Sequence, residues 1–173
     1  MDDILEIPLT KGMFAIIDAV DLPLIVGSKW RASQCGSKWY AVSTRNGRSV
    51  YLHRLIFVAK PGILVDHRDN DGLNNRRSNL RRANKSLNGA NSGLSRRNKS
   101  GIKGVVWDAS RGKWKADITV FGKTHSLGRY VEKEDAAKAY AEAARAAHGA
   151  FANPVGGLDD SRTICLFVPG RGV

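Results

Sequence analysis

The sequence predicts an α+β protein, with a β-rich N-terminal platform, a small strand–strand–helix unit, and a three-stranded antiparallel sheet packed on one helix. Three observations carry that expectation. Residues 7–52 show short apolar runs broken by turn signals; residues 62–91 pass from a brief apolar run through a polar loop into a short helix-like segment. Residues 102–149 alternate apolar and polar positions three times before a long run of helix formers.

The apolar runs at 13–17, 24–26, 39–43 and 49–52 have strand length and strand boundaries. Asn46-Gly47 lies between the last two, and that pair tolerates the positive φ angles of a tight hairpin. Residues 53–59, HRLIFVA, suit a short helix stopped by Pro61. Residues 62–68, GILVDHR, read as a strand that delivers Asp66 and His67 at its edge. The loop 69–78 is almost wholly polar, 79–82 returns as a second strand, and Asn84 is placed to cap a helix over 85–91. Asn84, Asn88 and Asn91 then share one helix face.

Residues 92–101, SGLSRRNKSG, are small, polar and basic, and read as a linker. Beyond them come three strands, with turns at 110–112 and 121–123. A helix follows, with acids in its first turn and Gly149 as its stop. Ala136, Ala137, Tyr140, Ala144 and Ala147 give it a stripe of mostly small residues that can lie close on a sheet. The expected organisation is 1–91 with its core at 62–91, a linker at 92–101, a sheet domain at 102–153 and a tail at 154–173, where 164–168 could add a strand.

Charge narrows the partner. The 173 residues carry a formal +12. Residues 51–98 hold ten Lys/Arg against three Asp/Glu, whereas residues 1–50 hold six against five. A basic surface centred on the polar loop fits a polyanion, because neutralising phosphates releases counterions. Cys35 and Cys165 lie far apart and lack paired spacing, which excludes a disulfide framework and a zinc site built on cysteine pairs. No signal peptide and no membrane span is visible, so a cytoplasmic protein of a bacterial or phage-infected cell is expected.

Hydrolysis of a phosphodiester needs a nucleophile in line, charge stabilisation at the phosphate and help for the leaving oxygen. His67 can take a proton from water, since an imidazole is largely neutral at physiological pH. Asp66 offers a hard oxygen for Mg²⁺ or Mn²⁺, Asn88 a second oxygen, and Asn79 can hold the loop and so aim His67. Arg68, Arg76, Arg77, Arg81 and Arg82 are candidate phosphate clamps. Consecutive strand residues point to opposite faces, so Asp66 and His67 share a site only where the strand ends or twists. His53 reads as a core histidine, and His125 and His148 as structural or surface residues.

Val65-Asp66-His67, Asn79-Leu80-Arg81 and Asn88-Gly89-Ala90-Asn91 resemble the HNH endonuclease motif, in the variant with asparagine at its third position found in phage-borne and intron-encoded homing endonucleases. The resemblance implies a ββα-metal core, with His67 as general base and Asp66 and Asn88 on a single divalent metal, Mg²⁺ or Mn²⁺. It also implies Asn79 as the brace of the histidine, and products with 5′-phosphate and 3′-hydroxyl ends. Zinc-stapled relatives use cysteine pairs, absent here, so no zinc is expected and the N-terminal strands must support the motif.

Residues 99–153 resemble the APETALA2/ethylene-response-factor DNA-binding domain, through Lys103-Gly104-Val105, the run from Lys113 to Ile118, Leu127-Gly128-Arg129-Tyr130, Asp135 to Tyr140, and His148-Gly149 to Asn153. That resemblance implies a sheet laid in the major groove of double-stranded DNA with the helix behind it. The residues agree: Lys113, Lys115, Asp117 and Thr119 alternate with Trp114, Ala116 and Ile118. Arg111, Lys113, Lys115, Lys123 and Thr124 are the expected DNA contacts, with Ser126 a weaker one. The whole reads as a metal-dependent DNA endonuclease, homing-type or phage-borne, monomeric or homodimeric. The alternatives are a non-catalytic DNA-binding regulator with a decayed nuclease and a nucleic-acid-packaging protein.

Overall fold

The computed structural model describes residues 3–154; the expected strand at 164–168 lies outside them. The chain divides into two compact units, one ending at Asn84 and one beginning at Lys85. Both mix small antiparallel sheets with few helices, as an α+β chain should.

In the first unit β1 (Ile4–Pro8) pairs with β2 (Phe14–Asp18). A second sheet runs β3 (Arg31–Cys35), β4 (Lys38–Arg45), β5 (Arg48–Tyr51) in that order. Asn46 and Gly47 join β4 to β5 with φ of 49° and 72°, the left-handed pair that matches strand twist in a two-residue turn. Helix α2 (Leu52–Ile56) leaves β5 directly and ends three residues before the expected helix end at Ala59, with Val58 in a left-handed conformation at φ of 50°. β6 (Leu64–His67) and β7 (Leu80–Ala83) form a third, two-stranded sheet.

The run at 24–26, expected as a strand, belongs instead to the short helix α1 (Leu22–Ile25). Pro23 explains the difference: in a first helical turn its fixed φ is already correct and its missing N–H is no loss. One core gathers Ala15 and Ile17 from β2, Ile25, Trp30, Ala41, Leu52, Ile56 and Leu80. Ile17 and Leu52 are fully enclosed, each contributing about 2–3 kcal/mol of burial. Leu80 carries that core to the base of β7.

The second unit opens with α3 (Lys85–Asn91), over the residues the sequence predicts. Its sheet has the order β10-β9-β8, from β8 (Val105–Asp108), β9 (Lys113–Val120) and β10 (Lys123–Tyr130). Helix α4 (Lys133–His148) covers it through Ala136, Tyr140, Ala144 and His148. Ala147, expected on this face, is exposed, because four-residue steps from Ala136 land on His148. Within 92–101, Asn98 and Ser100 bond to the backbone just beyond them. Asn98 Nδ2 donates to the Ile102 carbonyl at 2.8 Å, Ser100 Oγ to that of Val105 at 2.6 Å, the local bonding by which Ser and Asn compete with regular structure. Lys103 Nζ donates to the carbonyls of Gly89, Ala90 and Ser92 and so closes the end of α3.

Candidate active site

β6 and β7 hold the Asp-His pair in register, with Asp66 opposite Arg81 and His67 opposite Leu80. Both side chains are buried, Asp66 at 4% and His67 at 6% exposure. The Arg81 guanidinium grips Asp66, Nε and Nη2 each 2.8 Å from Oδ2. Lys38 of β4 donates Nζ to Asn70 Oδ1 at 2.8 Å, in the field of Asp66, Asp69 and Asp71. Burial pulls the Lys38 pKa down and those three carboxylates push it back, leaving it below its ordinary value.

His67 sits among rings. Its centroid is 4.9 Å from His53, edge to face, and 6.0 Å from Tyr40, with Tyr51 5.6 Å behind His53. His67 Nε2 lies 3.4 Å from Asn75 Oδ1. Burial depresses the His67 pKa, against the Asn75 hydrogen bond and the charges of Asp69 and Asp66, and the net shift is downward. The ring is therefore neutral at physiological pH, with a lone pair able to accept a proton. His53 is driven down to about 3 by burial first, then by His67 and Arg54.

The connection 68–79 is tied at both ends by Asn79. Its Oδ1 accepts the Asp69 N–H at 3.2 Å, while Nδ2 donates to Asp69 Oδ1 at 2.9 Å and to the Asn74 carbonyl at 2.8 Å. The middle of the loop adds to β2: Ile16 N–H donates to the Leu73 carbonyl at 2.8 Å and Asn75 N–H to that of Ile16 at 2.7 Å. Next along, Asp18 accepts from Arg76 Nε and from the Arg77 N–H, both at 2.8 Å. Asp21, fully buried, accepts Arg77 Nη2 at 2.6 Å. Burial works to raise the Asp18 pKa, but the bonds and charges of the two arginines hold it below its ordinary value. Gly72 passes so close to β4 that a Cβ there would meet the Trp39 carbonyl and the Tyr40 ring.

Asp66, His67 and Asn79 are thus brought together in the first unit. Asn88 lies on the exposed side of α3 in the second, whereas Asn91 of the same helix is buried, with Asn153 donating to its carbonyl at 3.0 Å. Three of the five arginines proposed as phosphate clamps have internal partners: Arg76 and Arg77 staple the loop, and Arg81, 7% exposed, neutralises Asp66. Arg68 and Arg82 remain at the surface. Lys38, Asp69 and Asn75 escaped the sequence reading, whereas His53, read as a core histidine, is buried as expected. Only Asp69 and Asn75, inside the polar loop, carried a signal that could have raised them.

Residues 50–90 match the family model for HNH endonucleases. Over 150 residues the chain is 33% identical to an uncharacterized HNH endonuclease, L560, of Acanthamoeba polyphaga mimivirus, an alignment spanning 83% of this chain and 75% of that one. The chain belongs to the HNH endonuclease family. It is a DNA endonuclease, a hydrolase of phosphodiester bonds. Protein 3.8 of Escherichia phage T7 is 35% identical over 91 residues, 53% of this chain and 74% of the phage protein. No solved structure matches the chain. No helix among the described residues is long and apolar enough to cross a membrane.

HNH nucleases are generally metal-dependent, and Asp66 is an oxygen donor of the kind a hard divalent cation takes. Among the described residues no three His, Cys, Asp or Glu side chains gather as a metal cage. Mg²⁺ does not need one, since it keeps several waters and takes one or two carboxylates. The oxygen donor of the first unit is the Asp66 carboxylate, which also carries the Arg81 guanidinium on Oδ2.

The second unit of the endonuclease turns a polar sheet face away from α4. Ala116 and Ile118 pack into the core with Val105, Ala136, Tyr140 and Ala144; Lys113 and Thr119 are exposed, and Lys115 is half-buried in an ion pair with Asp117 at 2.6 Å. Arg111 and Lys123 are exposed, and Thr124 shares a 3.0 Å hydrogen bond with Thr119. Arg129 joins this face although strict alternation from Ser126 would turn it inward. A bulge at Leu127 shifts the register, so Ser126 pairs with Asp117 but Arg129 with Lys115. Asp108 accepts Arg129 Nε at 2.8 Å and lies 3.5 Å from Arg111 Nη1.

Proposed function

We propose that this endonuclease cuts double-stranded DNA with one divalent metal ion, Mg²⁺ or Mn²⁺, leaving 5′-phosphate and 3′-hydroxyl ends. The observation that carries the reading is His67: a buried, neutral imidazole beside a buried carboxylate, at the end of a strand whose following loop is braced by Asn79. His67 takes the proton of the attacking water. The metal ligands are those the family resemblance implies, Asp66 and Asn88, and the metal when bound would supply charge stabilisation at the scissile phosphate and the leaving oxygen. Asn79 keeps the loop, and with it the histidine, in place. Arg68 and Arg82 supply phosphate contacts near β6 and β7.

The C-terminal sheet, resembling APETALA2-type domains, places the enzyme on duplex DNA through Arg111, Lys113, Lys115, Lys123 and Thr124, to which we add Arg129. Its mixed charges favour contacts to phosphate, which position without specifying sequence. The viral sources of both relatives support a phage-borne or homing-type role.

The test is supercoiled plasmid with the full chain. His67→Ala should lower the cleavage rate about 10²–10⁴-fold, the usual worth of a general base, while duplex affinity stays within a factor of two. Cleavage by the parent should vanish in EDTA and return with Mg²⁺ or Mn²⁺. Parental cleavage by His67→Ala removes the base, and undiminished cleavage in EDTA removes the metal.

A further inference from the structure

Asn75 is one of the most enclosed polar residues of the molecule, with 0% exposure, although it lies in a surface loop. Three bonds account for its position. Its N–H donates to the Ile16 carbonyl at 2.7 Å, its Nδ2 to the Leu73 carbonyl at 2.8 Å, and its Oδ1 faces His67 Nε2 at 3.4 Å. The second bond fixes the sense of the third. Turning the amide over would set oxygen against the Leu73 carbonyl, acceptor against acceptor, so Nδ2 must point to Leu73 and Oδ1 to the imidazole. An amide oxygen only accepts, hence Nε2 must donate. In a neutral ring with its proton on Nε2, the lone pair belongs to Nδ1.

We propose that Asn75 is a positioning residue for the general base, holding His67 as the Nε2–H tautomer so that Nδ1 is the atom that takes the proton of water. The proposal rests on His67 being the base, and it deepens that reading by assigning the reacting nitrogen and the group that selects it. The chain of restraint is traceable: β2 anchors Asn75 through Ile16, Asn75 sets the tautomer, and the ring of His53, 4.9 Å away, limits how His67 can turn. A free imidazole exchanges between two tautomers and two ring orientations, and only part of that population presents a lone pair where it is needed. Oxygen partners that orient a histidine through its other nitrogen are typically worth about 10–100-fold in function at metal sites.

The decisive measurement is on the full chain, metal-free and labelled with ¹⁵N, by long-range ¹H–¹⁵N correlation of the imidazoles at neutral pH. His67 should show a protonated Nε2 and a bare Nδ1. Asn75→Leu, which keeps the branched shape and removes the acceptor, should mix or invert that pattern and lower kcat for plasmid nicking about 10–100-fold with KM within twofold. A proton on Nδ1 in the parent overturns the proposal, and it does so even if Asn75→Leu does not fold. So does Asn75→Leu cutting at the parental rate. His67→Ala in the same assay separates the two ideas: its retained cleavage sinks the base, whereas an inactive His67→Ala beside a fully active Asn75→Leu sinks only the role of Asn75.

Discussion

Lowering the pH from 7 to 5 should cost the first unit about 2 kcal/mol through His53 alone. The ring is 9% exposed, its Nδ1 has no hydrogen-bond partner, and its neighbours are the rings of Tyr40, Tyr51 and His67 and the positive charge of Arg54. An imidazolium there would have no anion to answer it, so the folded chain holds the pKa at about 3, well below the 6.5 of a solvated histidine. The folded value is the lower one. The unfolded chain therefore takes up a proton as pH falls through 6.5, while the folded chain refuses it until about 3. Stability from this group is complete above 6.5 and is lost progressively on the way down to 3. Each pH unit inside that window is worth about 1.4 kcal/mol, and roughly one and a half of them lie between 6.5 and 5.

His53→Phe keeps a ring of similar size and removes the titration. Hydrogen exchange of the β2 and β4 amides, read as an opening free energy at pH 7 and pH 5, should show the parent losing about 2 kcal/mol more than the variant. His67, also depressed, weakens both proteins in the same sense and cancels from the difference. Equal losses in parent and variant would refute the buried, neutral His53.

Gly72→Ala drives a methyl group into the Trp39 carbonyl and the Tyr40 ring; a loss of about 1–3 kcal/mol by urea unfolding is expected, together with loss of nicking, because the loop that moves is the one bonded to His67. Lys115→Ala in the full chain should weaken duplex binding at every sequence alike and reduce the slope of log affinity against log salt by about 1. An unchanged slope would take Lys115 off the phosphates.

The strands were legible because this chain marks their ends sharply. Asn46-Gly47 sits where a two-residue turn is required, and Lys113 to Val120 alternates cleanly because α4 covers only one side of it. Segments shaped by a single residue's local geometry were less legible. Pro23 turns an apolar triplet helical, and the bulge at Leu127 reverses the facing of Arg129. Asp66, His67 and Asn79 could be read together because they lie within fourteen positions of one another, at the ends of one loop. Their surroundings could not, since Lys38 and Tyr40 arrive on β4 and His53 on α2, placed by packing. Arginines are ambiguous for a related reason: the letter is the same whether the guanidinium faces phosphate or, like that of Arg81, an internal carboxylate.

The Asp18–Arg76 bond joins residues 58 positions apart, and it bears on how this nuclease can be moved between proteins. Grafting 62–91 alone into another scaffold would carry the motif but leave behind the strand to which its loop is sewn. Arg76 and Arg77 would arrive without their carboxylates, and Asn75 without the carbonyl of Ile16. The smallest transplantable first-unit piece is discontinuous, and includes β2 with the turn that follows it.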